Sequence, residues 1–335
     1  MKNITIVTVY NACNYGSFLQ AYALKSAIEN KGYDVNFLEM EVDEDKVIGV
    51  GSFSKEYIAF ETKKYDKITA EQVAFKTVNI KDLNSDCCVL GSDTIWNMFD
   101  PAYANIPYFV GKDLPCKNIM SYAASVGQNN YYKILLTKLF KLLPVKKLNS
   151  IGVRDDKTER FVKFLGRKCT RVVDPTFLYD FEVEKPDVDI DGDYLLVYTY
   201  GMTDAEVSSI KEYSKKHNLK IVATGSLCEW ADYNLSVGSF EWLWLVQNAK
   251  FVVTNTFHGT VFSIKYNKRF ASYAKTSDKV ISLLSEFGLQ ERNCDFESLE
   301  KTLDADIDYT KVNTLIDEKK KTSLEYLYRG IANEH

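Results

Sequence analysis

Most of the side chains able to do chemistry in this chain fall in short polar and glycine-containing clusters. These are Asn14-Tyr15-Gly16-Ser17, Gly91-Ser92-Asp93, Ser121 to Gly127, Arg154-Asp155, Asp174-Pro175-Thr176 and Asn255-Thr256-Phe257-His258-Gly259. His258 is one of three histidines; His217 lies in a lysine-rich helical pattern and His335 is the last residue. An imidazole exchanges a proton near neutral pH, so His258 is a candidate general acid or anion holder, against the alternative of a hydrogen-bonded structural residue at a turn. Arg154 heads a helical pattern containing Phe161, Val162 and Leu165. A planar guanidinium there suits a phosphate or carboxylate, unless it bridges to Asp155 or Asp156. Asp93 is placed either to take a proton from an attacking hydroxyl or to cap the turn Thr94 to Trp96. Asn14 and Gly16 form a short loop into the first helix, where bare amides and the helix dipole can hold an anion. Asp174-Pro175 reads as a structural turn.

Each cluster follows a short β-branched or aromatic run, and the runs alternate with longer helical patterns. In the first half the runs are Ile4 to Val9, Asp34 to Leu38, Cys87 to Leu90, Asn118 to Tyr122, Ser150 to Val153 and Arg171 to Val173. Strands alternating with helices imply parallel βαβ units. Phe18, Leu19, Tyr22, Ala23, Ser26 and Ala27 recur at helical spacing, and Lys31-Gly32 closes that helix. An acidic stretch, Glu182 to Gly192, reads as a linker, after which Tyr194 to Tyr200, Lys220 to Ala223, Phe251 to Thr254 and Phe270 to Tyr273 resume the strands. Phe240 to Gln247 and Val280 to Phe287 read as helices, and Leu315 to Ile331 as a terminal amphipathic helix. The expected division is residues 1–182, 183–314 and a tail of 315–335. Asp45 to Val78, with Lys63-Lys64, is the least regular part and reads as a flexible insertion. In open α/β sheets ligands bind beyond the carboxyl ends of the strands, so the clusters are expected to line one crevice.

Composition narrows the class. The chain has 335 residues, enough for two average domains, with 46% hydrophobic and 26% charged residues. A net charge of −4 supplies no general attraction for a phosphate backbone, so a nucleic-acid partner is not expected. No stretch reaches the roughly 20 apolar residues of a membrane span, and the first apolar run reads as a strand rather than a signal peptide. The seven cysteines include no C-x-x-C pair and read as reduced thiols of a cytoplasmic protein. No Asp, Glu or His spacing calls for a metal.

The ordered motifs Asn14-Tyr15-Gly16, Val89-Leu90-Gly91-Ser92-Asp93 with Ile95-Trp96, Ser121 to Ser125, Val153-Arg154-Asp155, Val173-Asp174-Pro175 and Phe257-His258-Gly259 resemble the polysaccharide pyruvyl transferase family. Gly288-Leu289-Gln290-Glu291-Arg292 and Ser323 to Leu327 fit the same pattern. The resemblance implies a GT-B-like α/β fold, with two Rossmann-like domains facing a cleft and a C-terminal helix crossing back to the first. It implies transfer of pyruvate from phosphoenolpyruvate to two sugar hydroxyls, giving a ketal on a capsule, exopolysaccharide or cell-wall glycan precursor, without a further cofactor. In that reading His258 and Asp93 are catalytic, and Arg154, Lys279, Thr256 and Gly259 bind the donor. Lys275 competes with Lys279 for its place. Asn14, Gly16, Ser92 and Trp96 bind the acceptor, Trp96 offering a face to a sugar ring unless it is a core residue. A lipid-linked acceptor would place the enzyme at the inner membrane surface. Ser17 stands where the family often has Asp, and Thr256 where well-studied members have Arg. A nucleotide-sugar glycosyltransferase on the same architecture, and a non-catalytic sugar-binding subunit, are the alternatives.

Overall fold

The computed structural model describes residues 2–40, 54–101, 103–128 and 130–334. Its N-terminal half builds a parallel sheet from β1 (Asn3–Val7), β2 (Asp34–Leu38), β3 (Thr77–Val78), β4 (Cys87–Leu90), β5 (Ile119–Ala124), β6 (Ser150–Val153) and β7 (Thr170–Arg171). The spatial order is β3-β2-β1-β4-β5-β6-β7. A second parallel sheet takes β8 (Tyr194–Tyr198), β9 (Lys220–Thr224), β10 (Tyr233–Asn234), β11 (Phe251–Thr254) and β12 (Arg269–Ser272) in the order β10-β9-β8-β11-β12. Both are doubly wound. The order reverses where β1 lies between β2 and β4, with Ile4 opposite both Val35 and Cys87, and again where β8 lies between β9 and β11. Chain crossing in opposite directions at such a point leaves a crevice beyond the strand ends.

In the first half, α1 (Tyr15–Glu29) and α2 (Lys55–Glu71) follow β1 and β2. The short α3 (Tyr131–Thr137) and α4 (Leu139–Leu142) lead from β5 towards β6, and α5 (Asp156–Phe164) from β6 to β7. The second half carries α6 (Asp204–Lys216), α7 (Ser239–Asn248), α8 (Phe257–Lys265), α9 (Asp278–Phe287) and α10 (Leu299–Asp304), and α11 (Tyr309–Ala332) ends the chain.

Helix α1 is buried on nearly every side, because one face packs on its own sheet and the other meets the second half. Tyr15 stacks on Trp242 of α7 with ring centroids 5.2 Å apart, and Phe18 meets Phe240 edge-on. A single hydrophobic cluster therefore runs through both halves. Helices α5 and α9 close the interface on another side, where the Asp156 amide donates to Ser282 Oγ at 3.3 Å and Arg171 pairs with Glu286.

The expected flexible insertion is in part a helix. Residues 45–53 of it lie outside the described residues, but α2 spans Lys55–Glu71 and packs on the second half. Its buried positions are Phe60, Lys64 and Ile68, spaced four apart on one face, so a lysine occupies the middle of the apolar stripe and hides it from a hydrophobicity reading. The Lys64 ammonium donates to the Gly225 carbonyl at 2.6 Å and pairs with Glu61. The Glu71 carboxylate accepts from the Ser239 and Phe240 amides, capping α7 from the other half of the molecule.

Helix α11 starts at Tyr309, earlier than the periodicity alone suggests, and returns to the first sheet. Tyr326 donates to the Ser121 carbonyl at 2.9 Å, Asn118 Nδ2 to the Gly330 carbonyl at 2.9 Å, and the Val173 amide to Ser323 Oγ at 3.0 Å. Gly152 lets the Tyr326 ring come this close, since a Cβ there would stand 2.5 Å from it.

Candidate active site

The chemistry-bearing side chains are delivered by strand ends from both halves. Asp93 follows β4, Arg154 directly follows β6, Asp174 lies just beyond β7, and His258 sits in the first turn of α8 after β11. Helix α1 points its N-terminus at the same place. Asn14 caps it by accepting from the Gly16 and Ser17 amides at 2.8 and 3.2 Å. A Cβ on Gly16 would fall 1.9 Å from His258 Nδ1, so the imidazole of one half rests on bare backbone of the other.

Arg154 is the centre of the cluster. One terminal nitrogen is bound closely to Asp174 Oδ2 and the other lies 3.1 Å from Asp93 Oδ1. Among the described residues its Nε has no hydrogen-bond partner, and the guanidinium covers the Phe257 ring at 4.5 Å. Asp174 Oδ1 accepts from the amide and hydroxyl of Thr176, and His258 Nε2 lies 3.8 Å from Asp174 Oδ2 with no other partner among the described residues. Asp93 accepts from the Ser17 hydroxyl at 3.0 Å and from the Thr94 amide at 2.7 Å. Lys279, at the start of α9, places its ammonium 5.6 Å from the centre of the Phe257 ring.

Burial pushes Asp174 upward, but the Arg154 guanidinium and His258 outweigh it and hold the carboxyl well below its ordinary range. Burial acts on Asp93 in the same sense and is likewise overcome, by Arg154, His258 and Lys279 together. Both remain carboxylates at neutral pH. Burial lowers the Lys279 pKa; Asp93 opposes this and the neighbouring Arg154 adds to it. Among the described residues Lys279 has no ion-pair partner, whereas Lys275, its rival, points to Glu206 at 2.9 Å. The cluster thus holds Arg154, in direct contact with both carboxylates, and a half-buried Lys279 beside them that makes no direct ion pair among the described residues. An anionic group is the natural complement of Lys279.

Several expected roles do not survive the geometry. Trp96 is wholly buried in the N-terminal core and its indole N–H donates to the Phe109 carbonyl, so it has no face to offer a sugar. Ser92 is also wholly buried, its hydroxyl and amide both donating to Gln20 Oε1 and its carbonyl accepting from Thr8; it shapes the loop from behind. The Thr256 hydroxyl accepts from the Gly259 amide and caps α8, while Gly259 leaves room for Thr254 Oγ1, which a Cβ would approach to 2.2 Å. Both aim His258 rather than present donors to a ligand. Asn14 commits its Oδ1 to the cap of α1. Arg154 bridges neither Asp155, which caps α5, nor Asp156, which pairs with Arg171. Three contributors were not singled out in the sequence as working parts: Asp174, Ser17 and Phe257. The signal for Asp174 was available, since it precedes proline after a strand in the same arrangement as the other clusters.

Two surface depressions lie elsewhere, one beside α6 and α10 and one between β6, β7 and α11. Among the described residues His217, Glu300 and Asp304 bring ligand atoms within 4.8 Å of one another on the outer face of the second half. There Lys216 neutralises Glu300 and Tyr213 donates to Asp304.

A family model described as polysaccharide pyruvyl transferase matches residues 14–275, a stretch that holds Asp93, Arg154, Asp174 and His258. No curated protein matches the chain. Among solved structures, the UDP-GlcNAc 2-epimerase of Methanocaldococcus jannaschii in complex with UDP-GlcNAc and UDP is similar over 95% of this chain and 99% of its own, with 12% identity and a TM-score of 0.51. A UDP-N-acetylglucosamine 2-epimerase described as putative, from Listeria monocytogenes, covers 96% and 97% with 10% identity and a TM-score of 0.53. The UDP-GlcNAc 2-epimerase of Neisseria meningitidis covers 98% and 100%, with 10% identity and a TM-score of 0.52. At these identities the likeness establishes the two-domain GT-B-like fold.

Proposed function

Since the chain belongs to the polysaccharide pyruvyl transferase family, we propose that it moves pyruvate from phosphoenolpyruvate onto a sugar of a capsule, exopolysaccharide or cell-wall glycan precursor, forming a ketal. The observation that carries this reading is the gathering of His258, Asp93 and Arg154 at the facing strand ends with the half-buried Lys279, which has no direct ion pair among the described residues, beside them over the Phe257 ring. A trianionic donor complements that cation, and Arg154 Nε adds a buried hydrogen-bond donor without a partner among the described residues.

The roles follow from the chemistry of each group. His258 delivers a proton to the methylene carbon of phosphoenolpyruvate, which becomes a methyl group while C2 gains positive character. A sugar hydroxyl adds to C2. Asp93 is a weak base because its pKa is lowered, so it orients that hydroxyl and takes its proton only as the C–O bond forms and the oxygen becomes strongly acidic. Phosphate then leaves with the C2–O electron pair, and a second hydroxyl closes the ketal. Of the two hydroxyl protons, one restores His258 and one leaves with phosphate. Arg154, clamped by Asp174 and Asp93, holds these groups in register more than it grips the donor.

The test is incubation of the purified protein with phosphoenolpyruvate and candidate sugars, free and lipid-linked, reading phosphate release and product mass. Ketal formation together with phosphate release is the expected result. Protection of the folded state by a nucleotide sugar but not by phosphoenolpyruvate would overturn it in favour of glycosyl transfer. Binding of sugar with no turnover of any donor would assign a non-catalytic role.

A further inference from the structure

The segment from α3 through α4 to Lys147 exposes its largest apolar side chains. Tyr132 is 73%, Leu136 84% and Phe140 89% exposed, and Leu143 40%. Tyr132 and Leu136 share one face of α3, Phe140 lies on α4 beyond the break at Lys138 and Leu143 just after α4, so the apolar stripe is spread over successive short turns, while Ile134, Leu142 and Val145 are buried and anchor the segment to the N-terminal core. The same segment carries Lys133 and Lys138, whose ammonium groups lie over the Phe99 ring, Lys141, which donates to the Ala104 carbonyl and Asn105, and the exposed Lys146 and Lys147, and the chain has no acidic residue between Asp113 and Asp155. This contrasts with a molecule whose net charge is −4.

We propose that this segment docks the protein on the surface of a bilayer containing anionic lipid. Exposed apolar side chains rimmed by lysines match the acyl boundary and the acidic headgroups above it, and neither feature alone requires the other. A second copy of the chain is a poor occupant, because a two-fold contact through this stripe would bring both sets of lysines together. A nucleic acid would meet the lysines but gain nothing from Leu136 and Leu143. The stripe also has a defined relation to the candidate active site. Just before α3, Gln128 donates to Ser277 Oγ at 2.8 Å, and Ser277 is the residue immediately before the helix that carries Lys279. Docking would therefore set the mouth of the cleft beside the lipid surface. The proposal stands apart from the reaction assigned above and is tested without donor or acceptor.

The experiment is co-sedimentation of the full chain with vesicles of phosphatidylcholine alone and of phosphatidylcholine with phosphatidylglycerol, at low and high salt. Binding to the anionic vesicles that weakens with salt is expected. Leu136→Ser with Phe140→Ser should lower it by about tenfold or more, from the lost apolar insertion, and Lys146→Glu with Lys147→Glu by a similar factor. These positions are exposed, so the variants should keep the wild-type melting temperature and, for a water-soluble acceptor, the wild-type turnover. The proposal is overturned by absence of vesicle binding at low salt, by equal binding to neutral vesicles, or by variants that bind like the wild type. A concentration-dependent dimer abolished by the Phe140 change, without vesicle binding, would assign the stripe to self-association instead.

Discussion

Asp174 meets Arg154 and faces His258 through the same oxygen, so one buried carboxylate positions the two groups on which the proposed chemistry rests. His258→Gln keeps a hydrogen-bonding side chain but cannot deliver a proton, and should lower turnover by roughly 10² to 10⁴. Steady-state kinetics should show this in kcat, with KM for phosphoenolpyruvate changed much less and the melting temperature nearly unchanged; wild-type turnover would remove His258 as the proton donor. Lys279→Ala should act the other way, raising KM first. Asp174→Asn leaves the Arg154 charge with Asp93 alone, and breaking a buried pair of this kind costs about 3–5 kcal/mol. Its signature is in pH. The Asp174 and Asp93 carboxyls titrate lower in the folded chain than in the unfolded one, so their contribution is complete above the ordinary carboxylate range, begins to fall within it and is lost as pH drops on through the lowered folded values. Denaturant unfolding of the wild type should thus weaken steeply below about pH 4, and that of Asp174→Asn less steeply from a lower start.

Helix α2 joins the halves with polar contacts around its buried Phe60 and Ile68. Beyond Lys64 and Glu71, Lys67 pairs with Glu241 at 2.6 Å and Ser236 donates to the Phe60 carbonyl at 2.7 Å. Glu71→Ala uncaps α7 and should cost about 1–2 kcal/mol, the range for loss of a side-chain cap. Hydrogen exchange would show the loss first in the amides of Ser239 and Phe240; unchanged protection there would mean that water substitutes fully for the carboxylate. The same substitution tests whether α2 fixes the relation between the halves, since α7 carries Trp242, on which Tyr15 of α1 stacks just ahead of Gly16.

For the molecule as a whole, the second crossing by α11 means that the N-terminal half is completed by the last residues of the chain. Leu327 and Ile331 are fully buried there, and Tyr328 donates to the Ala27 carbonyl while its ring receives the Lys31 ammonium. Removing the chain after Asp308 should therefore destabilise the first sheet as well as α9, with exchange protection falling in β5. Retention of full protection in Ile119–Ala124 would show that the helix only covers the sheet and does not support it.

The sequence by itself determined the elements and their order. Strand and helix periods and the alternation of strand with helix depend on near neighbours, and from them the two sheets and the convergence of Asp93, Arg154 and His258 on one crevice were legible. Helix α2 was not, because the group at the centre of its buried stripe is a lysine whose partner, Gly225, lies 161 residues away. The roles within the site were decided by tertiary structure for the same reason. Arg154 is matched by carboxylates 20 and 61 residues distant rather than by the adjacent Asp155 or Asp156, and nothing local distinguishes these pairings. Trp96 illustrates the remaining limit: an indole after a strand end suits a ligand or a core equally, and only the packing around Phe109 decides which face, if any, is left exposed.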